Sequence, residues 1–338
     1  MLGTILHGAC DVRCEEVPEP KILKPTDAII RLSATCICGS DLWPFRGLND
    51  VEAPMAMGHE YCGIVEEVGS AVTSIKPGQF VVGSFCISDN TCPHCRFGFQ
   101  SSCEQHEFMT GAQAPLARVP LADGTLVATA ELPSDDLVPS LLATSDVLGT
   151  GWYAAEAARV QSGSTVVVVG DGAVGLMGML AANQREAGRI IAMSRHKTRQ
   201  DLALEYGATD IVSERGDEGV AQIKELTNDV GADSVLECVG TKESMMHALP
   251  CQKGNGLSQT GFARLRSPPS SPDKRWWFPD LRKSTPRRAR RGSAGAAMSD
   301  KQVASEDDHD ARRHIPERKR NFNCNIIILF LDNSPAAT

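Results

Sequence analysis

Short apolar runs, separated by glycine, proline and polar residues, characterise the first 145 residues of the chain. Three of these runs are rich in β-branched side chains: 28–34 (AIIRLSA), 62–68 (CGIVEEV) and 79–83 (QFVVG). Runs of this length, bounded by turn-forming residues, predict β-strands. Residues 1–145 are therefore predicted to form a β-rich domain.

From residue 164 onward the pattern changes to strands that alternate with helices. The apolar periodicity predicts strands at 166–169, 189–194, 210–212 and 233–239, and helices at 173–187, 197–206 and 218–228. This alternation is typical of βαβ units around a parallel sheet that is covered by helices. The predicted fold class is α/β, with a doubly wound parallel sheet over residues 146–251.

Composition and charge change near residue 251. Residues 1–251 carry 17 Lys+Arg against 33 Asp+Glu, whereas residues 252–338 carry 17 against 9 and hold seven of the 19 prolines. A basic segment rich in Pro, Ser and Arg is typical of a solvated extension. We therefore predict that residues 252–338 are largely disordered.

Two features of this tail have alternative interpretations. Its arginines lie near Trp276, Trp277 and Phe278, a composition also found in surfaces that bind nucleic acid. The solvated extension is favoured, so nucleic acid is not predicted as a partner. The apolar run 326–331 is interpreted either as a strand or as a segment prone to aggregation.

Overall composition indicates which broad class of protein this is. The chain has 338 residues, of which 42% are hydrophobic and 22% charged, as expected for a globular protein with a sizeable core. No run approaches the roughly 20 apolar residues of a membrane span, and no secretion signal is visible. We therefore expect a cytoplasmic location, without membrane contact, in which the twelve cysteines are thiols or metal ligands.

A glycine-rich segment follows the predicted strand 166–169. The sequence GDGAVG at 170–175 fits the pattern G-x-G-x-x-G and precedes a predicted helix. Its glycines permit a tight turn, close approach of a pyrophosphate and helix–strand packing, and the helix N-terminus offers N–H groups to the anion. The segment predicts a Rossmann domain, the alternative being a turn without a ligand. The predicted dinucleotide contacts are Gly170, Gly172, Ala173, Val174 and Gly175.

The end of the next strand distinguishes the two nicotinamide dinucleotides. An NAD site typically has an acidic residue about 20 residues beyond the loop, where it binds the ribose 2′-hydroxyl. This chain has Ser194, Arg195 and His196 there, with no carboxylate at that place in the sequence. Because Ser and Arg can donate to a 2′-phosphate, NADP(H) is favoured over NAD(H). The alternative is that Arg195 is a solvated charge.

A second motif has the spacing of a metal site. Its four candidate ligands, separated by 3, 3 and 8 positions, are Asp89, Cys92, Cys95 and Cys103. Two cysteines in C-x-x-C can bind one ion from a tight turn, and zinc accepts carboxylate oxygen as well as thiolate. The spacing predicts a zinc site, in which Cys86 or His94 is an alternative ligand. Ordinary buried thiols are the competing interpretation.

A third set of residues is dispersed along the chain. Cys38 lies in the sequence CICGSD, His59 in GHE, and Asp146 in SDVLGTG. From spacing alone, an isolated cysteine or histidine is more often a packing residue than a ligand. These three residues therefore predict no site by themselves.

The order of all these motifs resembles the zinc-dependent alcohol dehydrogenases of the medium-chain dehydrogenase/reductase family, over about residues 1–250. The resemblance implies a GroES-like catalytic domain followed by a Rossmann domain, with the active site in the cleft between them. It implies that Cys38, His59 and Asp146 bind a catalytic zinc, although many members have a second Cys in place of Asp146. It also implies that the segment 89–103, called the lobe below, holds a structural zinc through Asp89, Cys92, Cys95 and Cys103. The resemblance thus implies two zinc ions per chain.

Further roles follow from the same resemblance. Glu60 corresponds to a carboxylate that can exchange onto the metal, and Asp41 to an acid that orients His59. Ser40 corresponds to the hydroxyl that takes the substrate proton. Thr150 corresponds to a residue that lies against the nicotinamide.

The chain departs from the family pattern in two places. Trp43 stands where a relay histidine is often found, so the proton route beyond Ser40 is open between water and the ribose hydroxyl. The family's last Rossmann strands should follow Leu249, but nothing after about residue 251 resembles them, which implies that the parallel sheet is incomplete at its C-terminal edge. Family members often form dimers or tetramers through those strands, so the question of a homo-oligomer is left open.

The expected function is reversible hydride transfer between an alcohol and its aldehyde or ketone, with NADP(H) or NAD(H) as cofactor. Trp43, Phe45 and Trp152 suggest an apolar small-molecule substrate. One alternative is a zinc-free quinone-type reductase of the same fold. Another is an inactive nucleotide-binding protein, since an incomplete sheet leaves an unpaired edge.

Overall fold

The structure, a computed structural model, describes residues 1–49, 53–253, 260–262 and 328–330, the last two stretches by their backbone. These residues belong to one unit, formed by Met1–Arg264 together with Phe322–Thr338. Most of the tail, including Trp276, Trp277 and Phe278, lies outside the described residues. The prediction that this tail is largely disordered therefore concerns residues that the structure does not describe. Within the described ranges, no helix has both the length and the apolar character that crossing a bilayer requires.

The N-terminal part consists of antiparallel sheets, as its short apolar runs predict. Its strands are β1 (Leu2–Gly8), β2 (Asp11–Glu16), β3 (Ala28–Cys36), β4 (Met55–Ala56), β5 (Tyr61–Val68), β6 (Phe80–Gly83), β7 (Cys86–Ile87), β8 (Glu107–Phe108), β9 (Leu116–Val119) and β10 (Leu126–Ala128). The main sheet has the order β10-β6-β5-β3, and β9 also pairs with β3. Strand β1 pairs with β2 and β4, and β7 pairs with β8. The predicted strands at 28–34, 62–68 and 79–83 are all present.

Short helices connect these strands and lead to the second half. They are α1 (Leu42–Phe45), α2 (Pro93–Arg96), α3 (Ala122–Thr125), α4 (Val138–Ala143) and α5 (Val147–Ala157). Single turns of 3-10 helix occupy Gln100–Ser102 and, later, Leu249–Cys251. The core between the sheets of the first half includes Ile30, Leu32, Tyr61, Val65 and Val81.

The second half alternates strands and helices around one parallel sheet. Its elements are β11 (Thr165–Val169), α6 (Ala173–Gln184), β12 (Arg189–Met193), α7 (Lys197–Glu205), β13 (Asp210–Val212), α8 (Gly216–Leu226), β14 (Ser234–Glu237), α9 (Lys242–Ala248) and β15 (Thr260–Phe262). The strand order is β13-β12-β11-β14-β15. Every helix and strand predicted for this half is present, which confirms the α/β fold class.

The valine run of β11 explains why helices cover both faces of this sheet. Successive side chains of a strand point to opposite faces. Val166 and Val168 accordingly join the core formed with α5, α6 and α7. Val167 and Val169 join a second core that includes residues of α8 and α9. A continuous apolar run is therefore buried on both sides, as in a doubly wound sheet.

Two strands lie beyond the compositional boundary at residue 251. Strand β15 pairs in parallel with β14, so the sheet has one more strand than the sequence predicts. Thr260–Phe262 contains a single large apolar residue, which gave no strand signal. Strand β16 (Ile328–Phe330) pairs antiparallel with β3. This pairing agrees with the strand interpretation of the run 326–331.

Helix α5 joins the two halves of the molecule. It starts directly after Asp146 and packs against α6, which starts at the glycine-rich loop. A Cβ atom at Gly151 would lie 2.6 Å from the backbone nitrogen of Gly178, so the two helices approach at backbone distance. Because of this contact, the position of Asp146 is fixed relative to the glycine-rich loop.

Candidate active site

Three separate segments bring the dispersed candidates together. Strands β3 and β5 are antiparallel with Thr35 opposite Tyr61, so the end of β3 and the start of β5 lie side by side. Cys38 follows the first strand, and His59 and Glu60 precede the second. Asp146 occupies the N-cap position of α5. The ligand atoms of Cys38, His59, Glu60 and Asp146 all lie within 4.8 Å of one another.

The distances within this cluster suit a tetrahedral zinc ion. The Asp146 carboxylate oxygen Oδ2 lies 3.5 Å from the Cys38 Sγ and 3.5 Å from the His59 Nε2. Two atoms bound to one tetrahedral zinc at about 2.0–2.3 Å are about 3.3–3.8 Å apart. Thiolate, imidazole and carboxylate are all zinc ligands, so the donor set fits the ion that the family resemblance implies.

Neighbouring side chains hold these three donors in place. Asp41 is buried; its carboxylate lies 3.3 Å from the His59 Nδ1 and accepts a hydrogen bond from the Cys38 amide at 3.0 Å. The Thr150 hydroxyl donates to the other oxygen of Asp146 at 2.7 Å. The His59 Nε2 and the Asp146 Oδ2 are thereby directed toward the centre of the cluster. A ligand held in this way keeps its orientation and tautomer.

Glu60 stands apart from the other members because it is almost completely buried. Only 1% of its surface is exposed. Its Oε2 accepts a hydrogen bond from the Cys36 thiol, and its Oε1 is buried without a hydrogen-bond partner among the described residues. A buried charge that lacks a partner is costly unless a cation lies nearby. The orphaned oxygen therefore also fits a cation held at this cluster.

The pKa values of the cluster residues are shifted, because several acidic groups are buried close together. Burial raises the pKa of Cys38 to about 11, and burial together with the Asp146 charge raises the pKa of Glu60 to about 7. Burial opposes the charged form of His59, but hydrogen bonds to Asp146 and Asp41 outweigh it and raise the pKa of the imidazole. Burial also opposes the charged form of Asp146, but the bond and charge of His59, together with bonds from Thr150 and Cys38, outweigh it and lower the pKa of the carboxyl. A dication would stabilise several acidic groups gathered around one imidazole.

The predicted lobe ligands also converge. The ligand atoms of Asp89, Cys92, Cys95 and Cys103 lie within 4.8 Å of one another, and the Sγ atoms of Cys92 and Cys103 are 3.9 Å apart. The alternative ligands are not in this group: His94 is exposed on α2, and Cys86 is buried in β7. The four residues with the predicted spacing are therefore neighbours in the structure.

Backbone amides surround the lobe ligands. The Asp89 and Gln105 amides each donate to the Cys103 Sγ at 3.4 Å. The Thr91 and Cys92 amides donate to an Asp89 oxygen at 2.8 and 3.0 Å, and these bonds lower the pKa of Asp89. The tight turn around α2 thus stabilises anionic ligands by itself.

The glycine-rich loop has the geometry of a phosphate-binding turn. Gly170 has a φ of +111°, which favours glycine. A Cβ at Gly175 would lie 2.1 Å from the Gly170 carbonyl oxygen, so only glycine lets α6 start so close to β11. Gly172 is exposed and faces open space. Ala173 and Val174 form the first turn of α6, whose free N–H groups are available to an anion.

The end of β12 differs from the sequence interpretation. The Ser194 hydroxyl donates to Asp171 at 2.8 Å, and the Arg199 guanidinium donates to the other Asp171 oxygen at 2.9 Å. Residues 194–196 contain no carboxylate, as the sequence shows, but Asp171 reaches this place from the glycine-rich loop. Arg195 and His196 are exposed at the same end of the sheet.

Sequence reasoning missed Cys36 and Asp171, and it did not foresee the bond from Thr150 to Asp146. A signal existed for Asp171, since β11 and β12 are adjacent parallel strands and the residues just after their ends are neighbours. A signal existed for Thr150 as well, because positions i and i+4 share one face of a helix. For Cys36, the sequence shows only a thiol in a buried strand.

Two protein-family models match the chain. Residues 24–141 match the family model of the alcohol dehydrogenase GroES-like domain. Residues 173–264 match the model of zinc-binding dehydrogenases, which continues beyond residue 251 as β15 does. Together these matches cover both halves of the described structure.

Individual relatives are named as alcohol dehydrogenases of this kind. The chain is 36% identical over 278 residues to zinc-type alcohol dehydrogenase B of Aspergillus flavus, a match that covers 79% of this chain and 61% of the relative. It is 36% identical over 239 residues to the NADP-dependent isopropanol dehydrogenase of Clostridium beijerinckii, covering 68% of this chain and 67% of that protein. The chain thus spans about two thirds of the length of these relatives.

A solved structure extends the comparison to three dimensions. Zinc dependent alcohol dehydrogenase 2 from Streptococcus pneumonia, in its apo form, superposes with a TM-score of 0.70 at 32% identity, over 76% of this chain and 74% of that one. Sequence, site geometry and fold lead to the same assignment. The chain belongs to the zinc-dependent alcohol dehydrogenases of the medium-chain dehydrogenase/reductase family.

Proposed function

We propose that the protein is a zinc-dependent alcohol dehydrogenase that interconverts an alcohol and its aldehyde or ketone, with NADP(H) preferred over NAD(H). The observation that carries the proposal is the convergence of Cys38, His59 and Asp146, which come from three separate segments. Three protein ligands with a remaining open position are typical of catalytic zinc. In this proposal these three residues hold the catalytic ion.

The roles of the surrounding groups follow from their positions. A bound zinc ion supplies Lewis-acid polarisation of the substrate oxygen, and a bound nicotinamide exchanges hydride with the substrate carbon. Asp41 and Thr150 fix the donor atoms of His59 and Asp146. Ser40 is exposed, and its hydroxyl lies 3.3 Å from the His59 Nε2. It is therefore placed to exchange a proton with a substrate oxygen beside the cluster.

The exposure of Ser40 also supports a direct route for the proton. Trp43, which stands at the position of the expected relay histidine, has no titratable group. A hydroxyl that contacts solvent needs no further protein group to release a proton. We therefore assign the next step beyond Ser40 to water.

The lobe is proposed to hold a second, structural zinc. Three thiols and one carboxylate fill the four positions of a tetrahedral ion and leave none for substrate. The Asp89 and Cys92 amides donate to the Cys103 sulfur and the Asp89 carboxylate, and so stabilise these anionic ligands. Two zinc ions per chain are expected.

The NADP(H) preference depends on the exposed cations at the end of β12. Asp171 would repel a 2′-phosphate, but its carboxylate is already paired with Arg199. Arg195 and His196 are exposed beside it. Arginine binds phosphate through charge-assisted hydrogen bonds, which favours the phosphorylated cofactor. The name of the Clostridium beijerinckii relative is consistent with this preference.

The test combines metal analysis, nucleotide binding and turnover on one preparation. We expect two zinc ions per chain, oxidation of small apolar alcohols, and binding of NADPH at least about tenfold tighter than NADH, measured by fluorescence titration. Arg195→Ala should weaken NADPH binding about tenfold and leave NADH binding nearly unchanged, since one charge-assisted contact is lost. Lys197→Ala is the matched control, because Lys197 is a neighbouring exposed cation already paired with Asp201.

Two results would contradict the proposal at different points. Fewer than two zinc ions per chain, with no alcohol oxidation, would contradict the assignment of the metal ligands. Equal affinity for the two dinucleotides would contradict only the cofactor preference.

A further inference from the structure

A buried thiol lies directly behind the candidate catalytic metal site. Cys36 is the last residue of β3, two positions before Cys38, and only 1% of its surface is exposed. Its Sγ donates to the Glu60 Oε2, while the Glu60 Oε1 is buried without a partner among the described residues. The thiol therefore donates to one oxygen of this carboxylate, which also interacts with the Cys38 thiol.

We propose that Cys36 is a positioning residue, which holds the Glu60 carboxylate away from the metal position and so keeps one coordination site open for substrate. The inference rests on the proposed function, because it requires a cation held by Cys38, His59 and Asp146. It adds a residue that contacts neither the metal nor the substrate.

The backbone and the side chain of Glu60 are fixed by adjacent residues. The Thr35 hydroxyl donates to the Glu60 carbonyl oxygen at 2.8 Å, and the neighbouring Cys36 holds the carboxylate. Both contacts come from the end of β3, which is paired with the start of β5. The main chain of Glu60 is therefore set by the sheet, and the Cys36 thiol determines where its carboxylate lies.

Removing the thiol changes the balance of forces on Glu60. A metal-bound Cys38 thiolate has no proton to donate to Glu60. Without Cys36 both carboxylate oxygens would then be buried and unpaired, which is strongly unfavourable for an ionised group. The nearest compensation is the cation, because a carboxylate oxygen of Glu60 lies within 4.8 Å of the other three ligand atoms. We expect the carboxylate to move onto the metal, which converts an open catalytic site into a closed site with four protein ligands.

The experiment measures whether the open position is accessible. In the holoprotein with Co²⁺ in place of the catalytic zinc, imidazole is titrated and its binding is followed by the visible absorption bands of the metal. Cys36→Ala and Cys36→Val both remove the donor, and valine retains most of the buried volume. We expect imidazole to bind about tenfold more weakly to both variants, since a hydrogen bond to a charged group is lost.

Two control variants separate the hydrogen bond from packing. Cys36→Ser retains a donor and should bind imidazole as the wild type does. Cys62→Ala removes another fully buried thiol of the same core cluster, on the neighbouring strand β5. Among the described residues, the hydrogen bond of the Cys62 Sγ goes to the Ala34 carbonyl oxygen, at 4.0 Å, and not to Glu60, so imidazole affinity should be unchanged.

A second background tests the role of Glu60. In Glu60→Gln the side chain is uncharged, so adding Cys36→Ala should no longer weaken imidazole binding. Unchanged affinity in both Cys36→Ala and Cys36→Val would overturn the inference and leave the proposed function intact. A wild-type protein whose metal bands do not respond to imidazole would overturn both.

Discussion

The two donor clusters of this protein are built in opposite ways. The lobe cluster takes its four ligands from the 15-residue segment 89–103, around one tight turn whose amides point at the ligand atoms. The active-site cluster takes its ligands from positions as far apart as Cys38 and Asp146, and side chains rather than amides hold them. The lobe is a local structure, whereas the active-site cluster exists only when β3, β5 and α5 are packed together.

The difference matches the chemistry expected of each cluster. Three thiols and a carboxylate form a closed set that suits a structural ion. The active-site set mixes sulfur, nitrogen and oxygen, and it includes the buried Glu60 carboxylate, which accepts a hydrogen bond from Cys36. A closed site needs only its own turn, but an open site needs surrounding groups to prevent a fourth protein ligand from binding.

The largest expected effect comes from removing an active-site ligand. His59→Ala should lower kcat/KM for alcohol oxidation by at least about 1000-fold, or about 4 kcal/mol, because Lewis-acid stabilisation of the substrate oxygen is lost. Zinc content should fall from two ions to one, while NADPH affinity is retained because the glycine-rich loop is unchanged. Steady-state kinetics, metal analysis and fluorescence titration measure the three quantities. Wild-type turnover in this variant would exclude the cluster from the reaction.

Removing a lobe ligand should lower the stability of the protein and leave its turnover number unchanged. Cys95→Ala should lower the free energy of unfolding by about 4 kcal/mol, since metal binding and local folding are coupled. The folded fraction at low temperature should retain its turnover number, because the catalytic donor set is untouched. Denaturant melts and active-site titration with NADPH separate stability from activity. A loss of turnover without a loss of stability would show that the lobe is part of the catalytic machinery.

The same contrast explains how far the sequence could predict each cluster. The spacing of Asp89, Cys92 and Cys95 is enough to place them on one turn, so their association was predicted from the residues alone. Asp146 was identified only through the family resemblance, because its distance from Cys38 along the chain carries no signal. The parallel sheet was predicted because Val166–Val169 is a continuous apolar run between turn residues.

Hydrogen-bond partners were the least predictable feature. Asp171 is bonded to Ser194 and Arg199, which requires knowing that two strands are adjacent and how their ends align. The Cys36–Glu60 bond depends on the antiparallel register of β3 and β5. Such contacts follow from tertiary packing, which local propensity and spacing do not contain.

The smallest expected effect comes from Asp123, which lies next to the lobe. It tests whether the lobe keeps its metal when a contact to the surrounding fold is removed. Asp123 in α3 accepts hydrogen bonds from the amides and hydroxyls of Thr73 and Ser74, at 2.7–3.0 Å. A Cβ at the next residue, Gly124, would lie 2.2 Å from the Ser88 carbonyl oxygen, so α3 rests against the backbone that leads into the lobe. Asp123 is therefore a link between the lobe and the antiparallel sheets.

The pH dependence of this link has a defined sign. Burial opposes ionisation of Asp123, but hydrogen bonds from Ser74 and Thr73 outweigh it and lower the pKa of the carboxyl. A carboxyl with a lowered pKa stabilises the folded state above its unfolded pKa of about 3.9, and this contribution is lost as the pH falls further.

Asp123→Asn should therefore cost about 1 kcal/mol at pH 7, a modest value because the group is exposed, and the difference from wild type should shrink below about pH 4. Urea melts at pH 7 and pH 3 measure it, and Asp201→Asn, which affects only an exposed pair with Lys197, is the control. Zinc content should stay at two ions per chain, because the lobe turn supplies its own amides. If the lobe zinc were lost instead, the lobe would depend on the surrounding fold as the active-site cluster does, and the contrast between the two would be one of ligand type alone.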